Sequence, residues 1–467
     1  MNNICQMDAE VIVVGGGAAG LIAAGRAGEM GASVILLEKT DGIGKKIGLS
    51  GKTRCNLTNA AELKNFLAMY GVNGRFLHGV FSRFFRPELL SFLESRGLAT
   101  KVERGGRIFP VSDDAADVVR LFKKYLAANK VKLLTNSRVV SVTAGEKLFF
   151  VVKTARRDYC CRSVVIAAGG ASWPSTGSSG DGYKIIKSLG HTIVALRPAL
   201  VPLVVRETRL VQSLQGVSLR NVRATVFAGE ASSVDAALTP SCNYGRGEKK
   251  LPRPPVIESR FGEMLFTHFG LGGPIILLLS LAAVEALAKG PVSVLIDLKP
   301  ALTKEQIRQR LQADMNAHGK RKISSILKDY LPAKMIEPFI ELSGCNREKA
   351  ANQISTAERE SMIALFKALR FNIKSALPMA KAIVTAGGAA LDEIDPRTMA
   401  SKKVPGLYLG GEVLDIDADT GGYNLQAAFS TGFVAGENAA LYAQAAKYGT
   451  EPQPATGTEG PLKIYKK

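Results

Sequence analysis

Glu10-Val11-Ile12-Val13-Val14-Gly15-Gly16-Gly17-Ala18-Ala19-Gly20 decides the fold. The run over 10–14 has the β-branched composition of a buried parallel strand and leads directly into G-x-G-x-x-G. A helix is predicted over 21–30, ending at Gly31, then a second strand over 33–37 closed by Glu38. Each part has a mechanical role. Gly15 permits a tight turn, Gly17 lets the backbone approach a pyrophosphate, and Gly20 lets helix pack on strand. Ala18 and Ala19 lie between Gly17 and the helix, whose free N–H groups and positive dipole end would face the phosphates. Glu38, with Lys39 beside it, is placed to accept hydrogen bonds from ribose hydroxyls, and an acid there disfavours a 2′-phosphate. The pattern predicts a seat for the adenosine ribose of FAD or NAD.

Two later stretches favour FAD. Residues 163–170 read as a strand ending in Ala168-Gly169-Gly170. Residues 406–411 read as another, ending in Gly410-Gly411-Glu412, followed by Gly421-Gly422-Tyr423-Asn424-Leu425 and a small-residue helix to about residue 440. This order resembles flavoproteins of the glutathione-reductase type. There a strand from the far end of the chain returns to the sheet, its acid touches the ribityl region, and a helix N-terminus points at the flavin. No second G-x-G-x-x-G is present, so NAD(P)H as reductant would share the substrate cleft.

Five further motifs carry a closer resemblance. Ser50-Gly51-Lys52-Thr53-Arg54-Cys55-Asn56-Leu57-Thr58-Asn59 resembles an SGGGRCN-TN loop. Gly262-Glu263-Met264-Leu265-Phe266-Thr267-His268-Phe269-Gly270-Leu271-Gly272-Gly273-Pro274 resembles GELLFTH-GLSGP. Thr385-Ala386-Gly387-Gly388, residues 398–402 and Gly421-Gly422-Tyr423-Asn424-Leu425-Gln426 complete the set. Together they resemble a bacterial FAD-binding flavoprotein family, bile-acid-reductase-like or aminoacetone-oxidase-like. Its members have been assigned to steroid double-bond reduction, amine oxidation and dihydrouridine synthesis in large-subunit ribosomal RNA. The sequence departs from the pattern in three places. Lys52-Thr53 replaces two glycines, Ala400 replaces a common Glu, and 243–255, with Arg246, Lys249, Lys250 and Arg253, reads as a basic insertion.

The resemblance implies an α/β fold. It comprises a Rossmann-like FAD-binding domain of the glutathione-reductase type, an inserted β-rich, barrel-like domain, and a helical insertion. The expected division is 1–190 (FAD domain), 191–300 (β-rich domain), 301–375 (helical insertion), 376–401 (β-rich return), 402–448 (FAD return) and 449–467 (loose tail). β-branched runs at 200–205, 222–227 and 292–297 agree with this independently, and Thr303-x-x-Gln306 is a capping box opening the helical block.

The resemblance also implies flavin chemistry, in which a C=C bond is reduced by hydride from the flavin and a proton from a nearby acid. Cys55, His268 and Tyr423 are the proton donors inside the family motifs. Arg54 beside Cys55 would favour a thiolate; a small inert residue in a tight loop is the plainer reading. His268 could equally be structural, and Tyr423 reads first as packing. Ser50, Gly51, Arg54, Cys55 and Asn56 would line the cofactor. Lys45 and Lys46 read as ligands of phosphate or of the flavin pyrimidine, or as a solvated loop. Asp415, Asp417 and Asp419 lack the Gly and Glu of a calcium loop, so no metal is expected.

The chain has 467 residues with 61 Lys and Arg against 41 Asp and Glu, a formal net charge of +20. Residues 1–190 carry +12, 191–299 +4, 300–381 +7 and 382–467 −3. The excess therefore sits in folded segments. Arg75, Arg83, Arg86, Arg96, Lys101, Arg104 and Arg107 form a basic region, and Lys320-Arg321-Lys322 adds another. RNA, with large-subunit rRNA as the favoured substrate, is one expected partner, although no RNA-binding module is visible. The alternatives are a small-molecule reductase or oxidase acting on a steroid enone or an amine, and a flavoprotein without turnover. The first ten residues lack a basic start, the apolar run 271–284 is too short to span a bilayer, and six cysteines show no framework. A cytoplasmic protein with reduced thiols and no stable membrane association is expected.

Overall fold

The computed structural model describes residues 7–145, 149–230 and 255–448. They fall into two compact units, Met1–Arg197 with Val384–Lys467, and Pro198–Ile383.

The first unit is built on a five-stranded parallel sheet. Its order is Leu407–Leu409, Ser163–Ile166, Val11–Val14, Val34–Leu37 and Lys132–Leu134. Every residue of Val11–Val14, Val34–Leu37 and Ser163–Ile166 is buried. A parallel sheet must be covered on both faces, which explains why these strands are apolar throughout instead of alternating. The helix Ala18–Glu29 begins three residues before the sequence pattern suggests, with Gly17 as its N-cap. It packs on Tyr423–Tyr448, a helix of 26 residues, at a very short separation. A Cβ on Gly432 would lie 2.3 Å from the Ala19 carbonyl oxygen, and one on Gly436 would lie 2.2 Å from that of Ala23. On its other side Gly25 makes room for the Tyr125 ring of Ala115–Ala128. Two small antiparallel sheets complete the unit, Thr58–Asn59 with Arg107–Pro110 and Thr100–Val102, and a meander of Val139–Ala144, Phe150–Thr154 and Asp158–Cys161.

The second unit contains a closed six-stranded antiparallel barrel. The strands run Leu203–Val205, Gly270–Gly272, Val256–Phe266, Ser218–Ala228, Val292–Asp297 and Leu369–Ala376. The apolar run after Gly273 forms the helix Pro274–Leu287, with Pro in its first turn where no N–H is needed. Thr303 and Gln306 make the reciprocal capping box that starts Lys304–Ala317. Helices of this block end at Lys367.

Two boundaries differ from those expected. Residues 369–376 close the barrel between Val292–Asp297 and Leu203–Val205, so they are strand and not part of the helical insertion. From Val384 onward the chain clusters with the first unit, because Ala389 bridges to both Ile193 and Leu414 and Thr385 is tied to Glu412. The basic insertion, apart from Pro255, and the tail 449–467 lie outside the described residues. Cys55, Cys161 and Cys345 are free. Among the described residues no helix is long and apolar enough to cross a membrane.

Candidate functional site

Gly15, Gly16 and Gly17 leave the carboxyl end of the first strand, where open α/β sheets bind ligands. Gly15 has φ +106°, and a Cβ there would lie 2.4 Å from the Ala167 carbonyl oxygen. At Gly20 a Cβ would lie 1.8 Å from the Gly15 carbonyl oxygen. Gly17 is different. No atom lies within 4 Å of where its Cβ would be, and the helix it caps receives no side-chain hydrogen bond there. That open space at a helix N-terminus suits a pyrophosphate. Glu38 is buried, and its two carboxylate oxygens accept the backbone amides of Gly16 and Thr40, each at 2.7 Å. The carboxylate is thereby aimed, with lone pairs left for ribose hydroxyls.

The three lysines near this strand end divide. Lys39 donates to Ser179 at 2.5 Å and to Asp181 at 3.1 Å. Burial pushes the Asp181 carboxyl up, but hydrogen bonds from Arg138 and Lys39 overcome this and hold it at about 2. Lys45 pairs with exposed Asp41 at 2.5 Å and, with Arg120 and Lys123, lines a cavity of about 460 Å³. Lys46 reaches inward, to Glu412 at 2.5 Å and to the Ser172 hydroxyl at 2.8 Å. Glu412 also accepts the Thr385 amide at 2.9 Å and the Ser172 hydroxyl at 3.0 Å. The Thr385 hydroxyl in turn accepts the amides of Ala171 and Ser172. Gly170 is essential to this knot, since a Cβ there would lie 2.5 Å from the Thr385 hydroxyl. Ala168 and Gly169 precede it, and Gly411, at φ +78°, lies close to Ala19, whose Cβ would be 2.8 Å from a Cβ there.

A second convergence joins the Cys55 loop to the start of the last helix. Gly422 has φ +101°, and a Cβ there would lie 2.3 Å from the Thr58 carbonyl oxygen. Asn59 donates to the Gly421 carbonyl at 3.0 Å. Two acceptors here, Asn56 Oδ1 and Gln426 Oε1, are buried with no hydrogen-bond partner. With the open space at Gly17 and the aimed Glu38, the residues present fit FAD.

Several expected site residues have other duties. Cys55 is fully buried, and burial, only partly opposed by a hydrogen bond with Ser50, pushes its thiol up to about 12. This reverses the thiolate expectation. The physical reason is that Arg54 turns away, to Glu103 and Asp113, and lies over the Phe109 ring at 4.2 Å. Gly51, Lys52, Thr53 and Cys55 all have φ between +58° and +67°, a left-handed turn closed by the Cys55 amide on the Ser50 carbonyl at 3.0 Å. Tyr423 packs edge-on against Phe66 at 4.7 Å, and burial followed by the nearby Asp419 raises its phenol. Asn424 clamps the backbone of Ala418 through both amide atoms, and Leu425 is half-buried. His268 lies in the second unit, between Val256–Phe266 and Gly270–Gly272, edge-on to Phe269 at 4.9 Å. Ser172 escaped the sequence reading, and Thr385 entered it only as part of a family motif, with no role at the site. The available signal was a hydroxyl residue beside a glycine pair at a strand end.

The basic region also resolves into parts. Arg83 pairs with Glu437 at 2.8 Å, Arg96 with Glu29 at 3.5 Å and Lys101 with Asp113 at 2.6 Å, while Arg86 donates to the Ala61 carbonyl at 2.5 Å. Only Arg75, Arg104 and Arg107 of the seven are exposed without a carboxylate partner among the described residues. In the second block Lys322 pairs with Glu348, leaving Lys320 and Arg321 exposed.

The family description "HI0933-like protein Rossmann domain" matches residues 9–438. The chain belongs to this family. The 3-dehydro-bile acid delta(4,6)-reductase of Clostridium scindens is 33% identical over 431 residues, 92% of this chain and 98% of the relative. Ribosomal RNA dihydrouridine synthases of Haemophilus influenzae and Escherichia coli are each 29% identical, over 91% and 92% of this chain and 96% and 97% of theirs. As a member, the chain is an FAD-dependent oxidoreductase.

Proposed function

We propose that this protein reduces a C=C bond conjugated to a carbonyl, with a uracil of large-subunit ribosomal RNA as the substrate. Bound and reduced FAD would supply the electron pair. The chain's own residues do the rest. Gly17 and the helix start behind it receive the pyrophosphate, Glu38 orients the ribose, and the Lys46–Glu412–Ser172–Thr385 knot fixes the strand ends on which the flavin half rests. Tyr423 keeps its proton at neutral pH, so it can act as an acid; Cys55, with no exposed surface, does not reach a substrate. His268 is the other candidate proton donor.

The observation that carries the FAD reading is the open helix N-terminus at Gly17 with the Glu38 carboxylate held by two backbone amides beside the same turn. The net charge of +20 supports an RNA substrate. Deleting the gene and examining its host's rRNA tests this, with loss of one dihydrouridine expected. Unchanged dihydrouridine would sink the RNA reading. A steroid enone is the second reading, favoured by the 33% identity to the bile-acid reductase. Turnover of a 4-en-3-one by the purified protein, with rRNA unaffected, would select it. Rapid mixing with NADH and with NADPH, followed by loss of flavin absorbance, identifies the reductant.

A further inference from the structure

Trp173 is the only tryptophan in the chain. Its backbone lies in the left-handed region, at φ +55° and ψ +62°. Of the ten non-glycine residues at positive φ among those described, it is the only aromatic one. A bulky side chain there costs on the order of 1–2 kcal/mol, and such strain persists where the surroundings impose it, often at ligand sites. Gly or Asn would sit here more comfortably. The indole nevertheless remains 38% exposed, so core packing does not account for it.

Its neighbours locate it. Ser172, immediately before it, donates to Glu412 at 3.0 Å and accepts from Lys46 at 2.8 Å. Gly177, four residues after it, has φ +105°, and a Cβ there would lie 3.6 Å from Glu38 Oε1. The turn between them is closed on Trp173 itself, whose carbonyl accepts both the amide and the hydroxyl of Thr176, at 2.9 and 2.8 Å. One short loop thus touches both acids of the dinucleotide seat. It spans from the ribose acid to the acid of the returning strand, and Trp173 stands at the second end. The Trp173 backbone is thus fixed at the Glu412 end of the loop, and its ring is left exposed there.

We propose that Trp173 is a cofactor-positioning residue whose indole packs against the flavin half of bound FAD. This rests on the FAD reading above. The test uses the full-length protein with Trp173→Gly and Trp173→Asn, both compatible with the left-handed backbone, and Trp173→Phe, which keeps a ring. Dissociation constants are measured for FAD and for ADP, which carries only the adenosine half. The Gly and Asn variants are expected to bind FAD about ten-fold more weakly, as removal of one stacked ring implies, and to bind ADP as wild type does. Trp173→Phe recovers most of the FAD affinity but shifts the visible flavin band, because a smaller ring lies on the isoalloxazine. Unchanged FAD affinity in the Gly variant overturns the proposal. So does equal weakening of FAD and ADP, which would place the loop's effect at the adenosine end. Should the Gly and Asn variants fail to fold, an unshifted flavin band in Trp173→Phe overturns it instead. Failure of the wild-type protein to bind FAD would be a separate result, directed at the FAD reading itself.

Discussion

Cys55 shows how one residue's chemistry depends on where its neighbour points. In sequence it stands beside a cation; in three dimensions that cation is held by Glu103 and Asp113, and the thiol is sealed in the core. A thiol held at about 12 is neutral throughout the working pH range. Alkylation with iodoacetamide at pH 8 is therefore expected to leave Cys55 unmodified in the native protein and to label it after unfolding. Mass spectrometry of the tryptic peptide reads this directly, and rapid native labelling would contradict the burial. His191 makes a comparable argument about protons. The Ser401 hydroxyl oxygen already accepts the amides of Lys403 and Val404, at 3.1 and 2.8 Å. Its own proton is thus directed to His191 Nε2 at 2.8 Å, and His191 Nδ1–H is left to donate to Glu393 at 2.9 Å. This requires a neutral ring. Burial lowers the His191 pKa although Glu393 works against it. Burial would raise Glu393, but Lys403 and Thr192 hold it down at about 2. Both groups are thus depressed on folding. Their stabilisation is complete above the unfolded values, near ~6.5 for His and ~4.3 for Glu, and is lost as the pH falls through the folded ones. The urea midpoint should fall as the pH drops below about 6.5 from His191, and further between about 4 and 2 from Glu393. His191→Phe should flatten the first step. Ser401→Ala strands two amides and the ring nitrogen and should cost about 2 kcal/mol at pH 7.

Among the elements, the crossing of Ala18–Glu29 with Tyr423–Tyr448 matters most, because it joins the two ends of the chain over one face of the sheet. It depends on Gly432 and Gly436, which stand one helical turn apart and bring backbone against backbone. Gly436→Ala should cost about 2 kcal/mol, since neither helix can yield without moving the glycine-rich turn at its end. Gly48→Ala is the control. Nothing lies within 4 Å of its added methyl and it sits in a helix, so it should be neutral or stabilising by up to ~1 kcal/mol. Thermal melts of both variants decide the point, and equal melting temperatures would show that the crossing tolerates separation. The small-residue composition of 427–440 was legible in the sequence as a helix, but not the partner it approaches. Four of the five parallel strands were legible too, because burial on both faces leaves an unbroken apolar run; the edge strand Lys132–Leu134, only partly buried, was not. Leu369–Ala376 was not. Its alternation of Leu369, Phe371 and Ile373 with Arg370, Asn372 and Lys374 is a strand signal, yet it follows directly on a Lys- and Glu-rich helix. The site divided in the same way. Gly15, Gly17, Gly20 and Glu38 are local in sequence and could be read. The Lys46–Glu412–Ser172–Thr385 knot draws on four distant segments, so no spacing announces it.

At the scale of the whole molecule, net charge and available charge are different quantities. The first domain's basic region has seven cations in sequence, but four are bound to internal carboxylates or a carbonyl. Those four orient helices and strands and cannot also neutralise phosphates without giving up a partner. The cations left for RNA among the described residues include Arg75, Arg104 and Arg107 in the first unit and Lys320 and Arg321 in the second. Binding to rRNA fragments should accordingly weaken with salt along a linear log–log slope. Replacing Arg104 and Arg107 by Gln should make that slope shallower by about one for each phosphate no longer neutralised, with little change in melting temperature. Replacing Arg83 or Lys101 should do the opposite, lowering the melting temperature while leaving the slope nearly unchanged. A filter-binding series from 50 to 300 mM salt separates the two classes. If all four variants lose slope alike, the charge acts as a diffuse field and the internal pairing is irrelevant to binding. If none does, the RNA reading loses the support of these cations, and the small-molecule enone becomes the better account of the same flavin site.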